Sequence, residues 1–308
     1  MRAKGYALLL ALLLTSLPVW AEEGWPRRFD NADGSVTEIV RQPARILSTS
    51  VTVSGTLLAM DAPVVASASA ANGRFFTHWQ AVAQARGVEN VWPAASIDLE
   101  AAYAVQPDLI VVSASGADSA LEQLAELRAI APTIIVDYGG QDWQALATLL
   151  GRATGMERQA QARIESFDRY VAEVRGELRL PSGEVNIISF NGPGTNNPVA
   201  TATGVHARLF SALGMHIESP AAAWHAGAGK PGDFVWAPYE HLLQLRAPTT
   251  FLLRGGEERV AAFLGDPMLA NLPSVRSGQV YALGESSFRI DYYSARELVE
   301  RIRERFGE

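Results

Sequence analysis

The chain is 308 residues long and acidic, with 26 Lys+Arg against 33 Asp+Glu, a formal net charge of −7 and no cysteine. Nucleic acid is disfavoured as a partner, because phosphate binding needs a basic surface that releases counterions. Structural disulfides and a cysteine-linked lipid anchor are excluded, and at this length two lobes are expected rather than a single core.

The chain opens MRAKGYALLLALLLTSLPVWAEEG, with Arg2 and Lys4, an apolar stretch from Tyr6 to Leu17, and then Val19-Trp20-Ala21 as a small-x-small site. This pattern predicts a secretory signal peptide over residues 1–21. The alternative, a single-spanning anchor, needs roughly 20 apolar residues, and the run here is shorter. The mature chain is therefore expected to be exported and soluble, without a membrane anchor. Removing the leader removes two bases, so an anionic ligand would have to be met by cations gathered locally.

From Ala44 the apolar runs are short and evenly spaced: ARILS, PVVASAS after Asp61, DLIVVSA after Pro107 and PTIIVDY after Ala131. They lack period-two alternation, as strands buried on both faces of a parallel sheet do. Helix-like segments lie between them, including SGTLLAMD, SIDLEAAYAV and SALEQLAELRAI. The βαβ rhythm predicts an α/β lobe over residues 22–152.

From Asp142 to about Leu180 no strand run occurs, and Met156, Ala160, Ile164, Phe167, Val171 and Val174 recur at helical spacing until Pro181 and Gly183. The spacing predicts a long helix over residues 153–180 joining two lobes, or else bundled into one of them. After Glu184 the strand-helix rhythm resumes in VNIISF, HARLFSALGMHIES, PYEHLLQLRAPTTFLLRGG and SGQVYAL, giving a second α/β lobe over 181–308. LEAAYAVQPDLIVVSAS in the first half echoes YEHLLQLRAPTTFLLRG in the second as acid, short helix, proline and strand.

The stretches WPRRFDNADGSVTEI, QPARILSTSVTVSGTLLAMDAPVVAS, QPDLIVVSASGADSALEQL, IAPTIIVDY, WQALATLLGRATG and LPSVRSGQVYALGESSFRIDYYSA run in order through nearly all of the mature chain. Through them the chain resembles the periplasmic substrate-binding proteins of the helical-backbone class, which serve ABC importers of iron-siderophores, haem and cobalamin. SFRIDYYSA with STSVTVSGTLLA resembles the catecholate-siderophore branch. The resemblance is weakest from Thr195 to Phe234. It implies two Rossmann-like lobes with parallel-rich sheets, a stiff joining helix that allows little closure, and a ligand held between the lobes. It also implies a monomer in the periplasm that captures a ferric catecholate siderophore, ferric enterobactin-like, and delivers it to an inner-membrane ABC permease. The alternative within the class is another bulky chelate: a ferric hydroxamate, haem or cobalamin.

A ferric tris-catecholate carries charge −3 and presents rings outward with its iron already wrapped, so the protein needs no metal ligands and no cofactor. It needs cations that also pack on rings, which the planar guanidinium supplies. Arg289, among Phe288, Tyr292 and Tyr293, is the first candidate, with an ion pair to Asp291 or Glu285 as its structural alternative. Arg74 in NGRFFTHW, close to Phe76, is the second, since it follows a strand at the carboxyl end, where open α/β sheets bind ligands. Arg254 in FLLRGG is the third, and Lys230 in the glycine-rich GAGKPG is weaker. Trp224 and Trp236 could stack on catecholate rings or simply fill the core.

His78, His206, His216, His225 and His241 occur singly, without HxH or HxxxH pairs, which argues against direct binding of zinc or manganese. No GxSxG elbow, HExxH or Walker loop is present, and FNGPGTNN lacks both the GxGxxG spacing and the P-loop lysine, so no enzyme activity is expected. Glu100 and Glu240 occupy equivalent places in the two halves, each early in a helix, where carboxylates are stabilising in any protein. The resemblance implies that one such exposed glutamate per lobe docks the permease.

Overall fold

The computed structural model describes residues 24–308, so the leader expected over 1–21 lies outside the described residues. An antiparallel hairpin, β1 (Arg27–Asp30) and β2 (Val36–Ile39), comes first. The βαβ rhythm then builds β3 (Ile46–Ser48), α1 (Val51–Ala59), β4 (Val64–Ser69), α2 (Thr77–Ala85), β5 (Glu89–Pro93), α3 (Leu99–Ala104), β6 (Leu109–Ser113), α4 (Leu124–Ile130) and β7 (Thr133–Val136). These strands form one parallel sheet in the order β5-β4-β3-β6-β7. Every residue of β3, β6 and β7 is buried, which is why their sequences are unbroken apolar runs. The strand order reverses between β3 and β6, and the carboxyl ends there open on a crevice.

Two helices follow without a strand between them, α5 (Trp143–Thr154) and α6 (Glu157–Glu177). Gly155, at φ 72, ends α5 in the left-handed conformation that glycine adopts without a Cβ penalty. The joining helix is therefore α6, shorter at both ends than the 153–180 expected, and it buries Ala160, Phe167, Val171 and Val174.

The second lobe contains β8 (Glu184–Ile188), β9 (Asn196–Ala200), α7 (Val205–Ala212), β10 (His216–Ile217), β11 (Phe234–Pro238), β12 (Thr249–Leu252), α8 (Glu257–Leu264), α9 (Pro273–Ser277) and β13 (Val280–Ala282). Its sheet is mixed, in the order β11-β9-β8-β12-β13 with β10 beside the start of β8. The pairs β8/β12 and β12/β13 are parallel, whereas β9 runs antiparallel to both β8 and β11.

The last helix, α10 (Tyr292–Phe306), crosses back and packs on α1, α2 and α6. One apolar cluster consequently runs from Ile46 and Leu57 through Trp143 and Phe167 to Phe210, Phe251 and Leu298, spanning both sheets. At its middle Phe167 meets Trp143 edge-on at 5.2 Å and Tyr292 at 6.0 Å. We expect Phe167→Ala to lower the unfolding free energy by about 3–5 kcal/mol, measured by urea denaturation.

Candidate functional site

A cavity of about 550 Å³ opens between the two sheets. Its first wall comes from the switch point of the parallel sheet: Val51 and Thr52 in the first turn of α1, and Ala117 and Asp118 beyond β6. Residues after β4 extend this wall, among them Asn72, Phe76 and His78. The second wall carries Arg254, just past β12, and Glu285, Ser286, Phe288 and Arg289, past β13. A smaller recess of about 220 Å³ continues the cleft, sharing Thr52, Phe288 and Arg289 and ending at Trp236.

Arg289 is half-buried and points across the cleft. Its Nη1 donates to the Tyr138 hydroxyl at 3.3 Å, and its guanidinium lies 5.3 Å from the centre of that ring. Tyr138 in turn donates to Asp118 Oδ1 at 2.9 Å, while Asp118 Oδ2 accepts from the Ser50 hydroxyl and the Thr52 backbone N–H. A buried carboxylate fully engaged by the start of α1 thus fixes the tyrosine that orients the arginine. Burial, reinforced by the Asp118 charge, pushes the Tyr138 pKa up against the opposing pull of Arg289. Arg289 is not paired with Asp291 or Glu285: Asp291 Oδ2 instead takes His78 Nε2 at 3.0 Å.

Arg254 adopts φ 60, a left-handed conformation uncommon for a residue with a Cβ. Its guanidinium lies 3.5 Å over the Phe288 ring, whose other face stacks on Phe234 at 5.0 Å and 7°. Desolvation, followed by the charges of Arg289 and Arg259, holds its pKa below the ordinary arginine value. Among the described residues neither Arg254 nor Arg289 has a carboxylate ion-pair partner. These two cations, in a lining that also holds the Asp118 and Glu285 carboxylates, present guanidinium N–H donors suited to an anion.

The other sequence candidates divide. Phe76 lines the cavity and stacks on His78 at 5.3 Å. Trp236 is 39% exposed and lines the smaller recess. Arg74 is exposed and outside the cavity lining, although Asn72 and Phe75 beside it belong to the lining. Lys230 borders a separate surface recess with His225 and Trp236. Trp224 does not reach the cleft, because it stacks on His241 at 5.4 Å and 7° and packs against the second lobe's core. Tyr292 does not reach it either. Asp291 caps α10, so Tyr292 falls in the first turn facing inward, buried against Trp143 and Phe167, with Arg163 and Arg296 donating to its hydroxyl.

Among the described residues no group of three or more His, Cys, Asp or Glu gathers as a metal site. Glu100 is exposed in the first turn of α3; Glu240 is exposed in a 3-10 turn over Tyr239–Gln244 rather than an α-helix, and among the described residues neither has an ion-pair partner. Sequence reasoning missed Tyr138, Asp118 and Thr52. The available signal was position alone, since Tyr138 ends PTIIVDY just beyond β7 and Thr52 sits just beyond β3.

The periplasmic binding protein family pattern matches residues 51–286. The ferric enterobactin-binding periplasmic protein FepB of Escherichia coli O6:H1 is 37% identical over 312 residues, covering 97% of this chain and 96% of its own. The crystal structure of holo-ViuP is 54% identical, covers 92% of this chain and 96% of that one, and aligns with a TM-score of 0.89. Staphylococcus aureus SirA complexed with staphyloferrin B covers 90% and 96% with a TM-score of 0.69, but at 17% identity it shares only the fold. No helix among the described residues is long and apolar enough to cross a membrane.

Beneath the second wall, His206 is 1% exposed and its Nε2 donates to the Ser287 carbonyl at 2.7 Å, one residue before Phe288. Burial lowers its pKa to about 4 from 6.5. The unfolded chain therefore binds a proton between these values that the folded chain refuses, so stability is full above about 6.5 and falls as pH drops toward 4. We expect His206→Gln to flatten this part of the stability profile by roughly one bound proton, read from urea denaturation at stepped pH.

Proposed function

The chain belongs to the periplasmic binding protein family, and from that membership we propose that it is the substrate-binding protein of an ABC importer for a ferric catecholate siderophore. It binds the complex in the interlobe cleft and releases it chemically unchanged to an inner-membrane permease. The observation that carries this reading is the pair Arg254 and Arg289, free of carboxylate ion-pair partners and set among Phe76, Phe288 and Tyr138. The likeness to FepB, whose name states that it binds ferric enterobactin, supports the ligand class.

The chemistry fits the residues. A tris-catecholate iron complex offers anionic oxygens at its edge and rings on its faces. Arg289 and Arg254 present N–H groups to the oxygens, and Phe76 offers apolar contact to a ring. At ~5 Å and an effective dielectric of ~20 each cation–charge pair is worth about 3 kcal/mol. Each cation already rests on an aromatic ring, so little side-chain freedom is lost on binding. Trp236 would meet a ligand long enough to fill the recess beyond Arg289.

The working protein would be a periplasmic monomer made of lobes over 22–152 and 181–308 joined through 153–180, with Glu100 and Glu240 as its docking acids, one on each lobe. Their exposure, and the lack of ion-pair partners among the described residues, support that role.

Arg289→Ala should weaken ferric enterobactin binding at least about tenfold by calorimetric titration, as loss of a charged hydrogen-bonding group does; wild-type affinity in this variant would move the charge out of the site. Glu100→Ala combined with Glu240→Ala should abolish uptake in cells while leaving ligand affinity unchanged. Full transport by the double variant would contradict the docking role.

A further inference from the structure

The cavity's two walls are joined by a buried contact between His78, itself part of the lining, and Asp291. His78, in the first turn of α2, has a side chain 3% exposed and meets Asp291 Oδ2 at 3.0 Å, where the aspartate side chain is 5% exposed. Asp291 is the N-cap of α10: its Oδ1 accepts from the N–H groups of Tyr293 and Ser294, and Ser294 Oγ accepts from the Asp291 N–H. The same Ser294 hydroxyl lies 2.6 Å from the Arg289 carbonyl. One residue before His78, the Thr77 hydroxyl lies 3.1 Å from that of Ser286.

Gly55 of α1 stands on the third side. A Cβ at this position would collide with Asp291 Oδ2 and crowd Trp79, so the carboxylate has room only because the residue is glycine. His78 stacks on Phe76, which lines the cavity. These contacts tie the segment Ser286–Asp291, with Phe288 and Arg289, to the helix turn that follows Phe76.

We propose that His78 is a positioning residue for the ligand site: its hydrogen bond to Asp291 sets where the Arg289 segment stands relative to the Phe76 wall. The inference rests on the ferric-catecholate reading. It assigns the imidazole a role apart from metal binding and additional to its place in the cavity lining. A buried carboxylate with three donors keeps its capping geometry. With the cross-wall donor removed, Asp291 would still cap α10 but would lose its hydrogen bond to α2, leaving packing alone to hold the two helices in register.

The test is equilibrium titration of the purified full chain with ferric enterobactin, using wild type, His78→Phe and His78→Gln, alongside the thermal unfolding midpoint of each. Phenylalanine fills the space and stacks on Phe76 without a donor; glutamine keeps a donor without the ring. His78→Phe should bind about tenfold more weakly, as loss of a charge-assisted hydrogen bond does, and His78→Gln should recover most of the wild-type affinity. Wild-type affinity in His78→Phe, or equal weakening in both variants, would overturn the proposal, because then the donor is immaterial. A wild-type chain that fails to bind the probe at all removes the siderophore reading itself, an outcome visible before any variant is compared.

Discussion

Two guanidinium groups, Arg254 and Arg289, share one cleft without a carboxylate ion-pair partner, although Asp118 and Glu285 also line it, and they repel each other there. Left free, such side chains would swing apart into solvent. The fold holds them by other means: Phe288 lies under Arg254, and Tyr138, itself fixed through Asp118 to the start of α1, lies beside Arg289. Aromatic faces attract cations without cancelling their charge. The guanidinium groups therefore keep their charge, while the geometry is set before any ligand arrives.

That arrangement needs two walls that do not drift. The joining helix α6 and the returning helix α10 supply this, since both feed a single apolar cluster that also includes residues of both sheets. Opening the cleft widely would expose that cluster, so any closure is expected to be small. The Arg208–Asp142 ion pair and the Thr77–Ser286 contact bridge the same gap at its edges, the first of them partly exposed and worth little alone. Buried pairing between His78 and Asp291 is the stronger tie, because both side chains are withdrawn from water.

Much of this was readable from the residues, and the misses have physical causes. The strands of the parallel sheet announced themselves because burial on both faces leaves continuous apolar runs. β9 and β11 did not: Asn196, Asn197, Pro198 and Pro238 weaken any strand signal, and Asn197 earns its buried place by bonding turn backbone near Asn191 and Gly192. Arg254 and Arg289 were legible as arginines after strands or within aromatic runs. Tyr292 misled for the same reason, since an aromatic run does not say which ring faces inward; the Asp291-x-x-Ser294 capping box that fixes this lies in the same letters. The Tyr138–Asp118 support joins residues 20 apart across neighbouring strand ends, which only the strand order reveals.

The central claim is that the cleft recognises an anionic, ring-faced iron complex through unneutralised arginines. Its most direct test is a tryptophan-fluorescence titration of the purified protein against ferric enterobactin, a ferric hydroxamate, haem and cobalamin, with Trp236 and Trp143 beside the cleft as reporters. Saturable quenching by the ferric tris-catecholate, far tighter than by the others, is the predicted result. Saturation by haem or cobalamin with none by the tris-catecholate complex would contradict it.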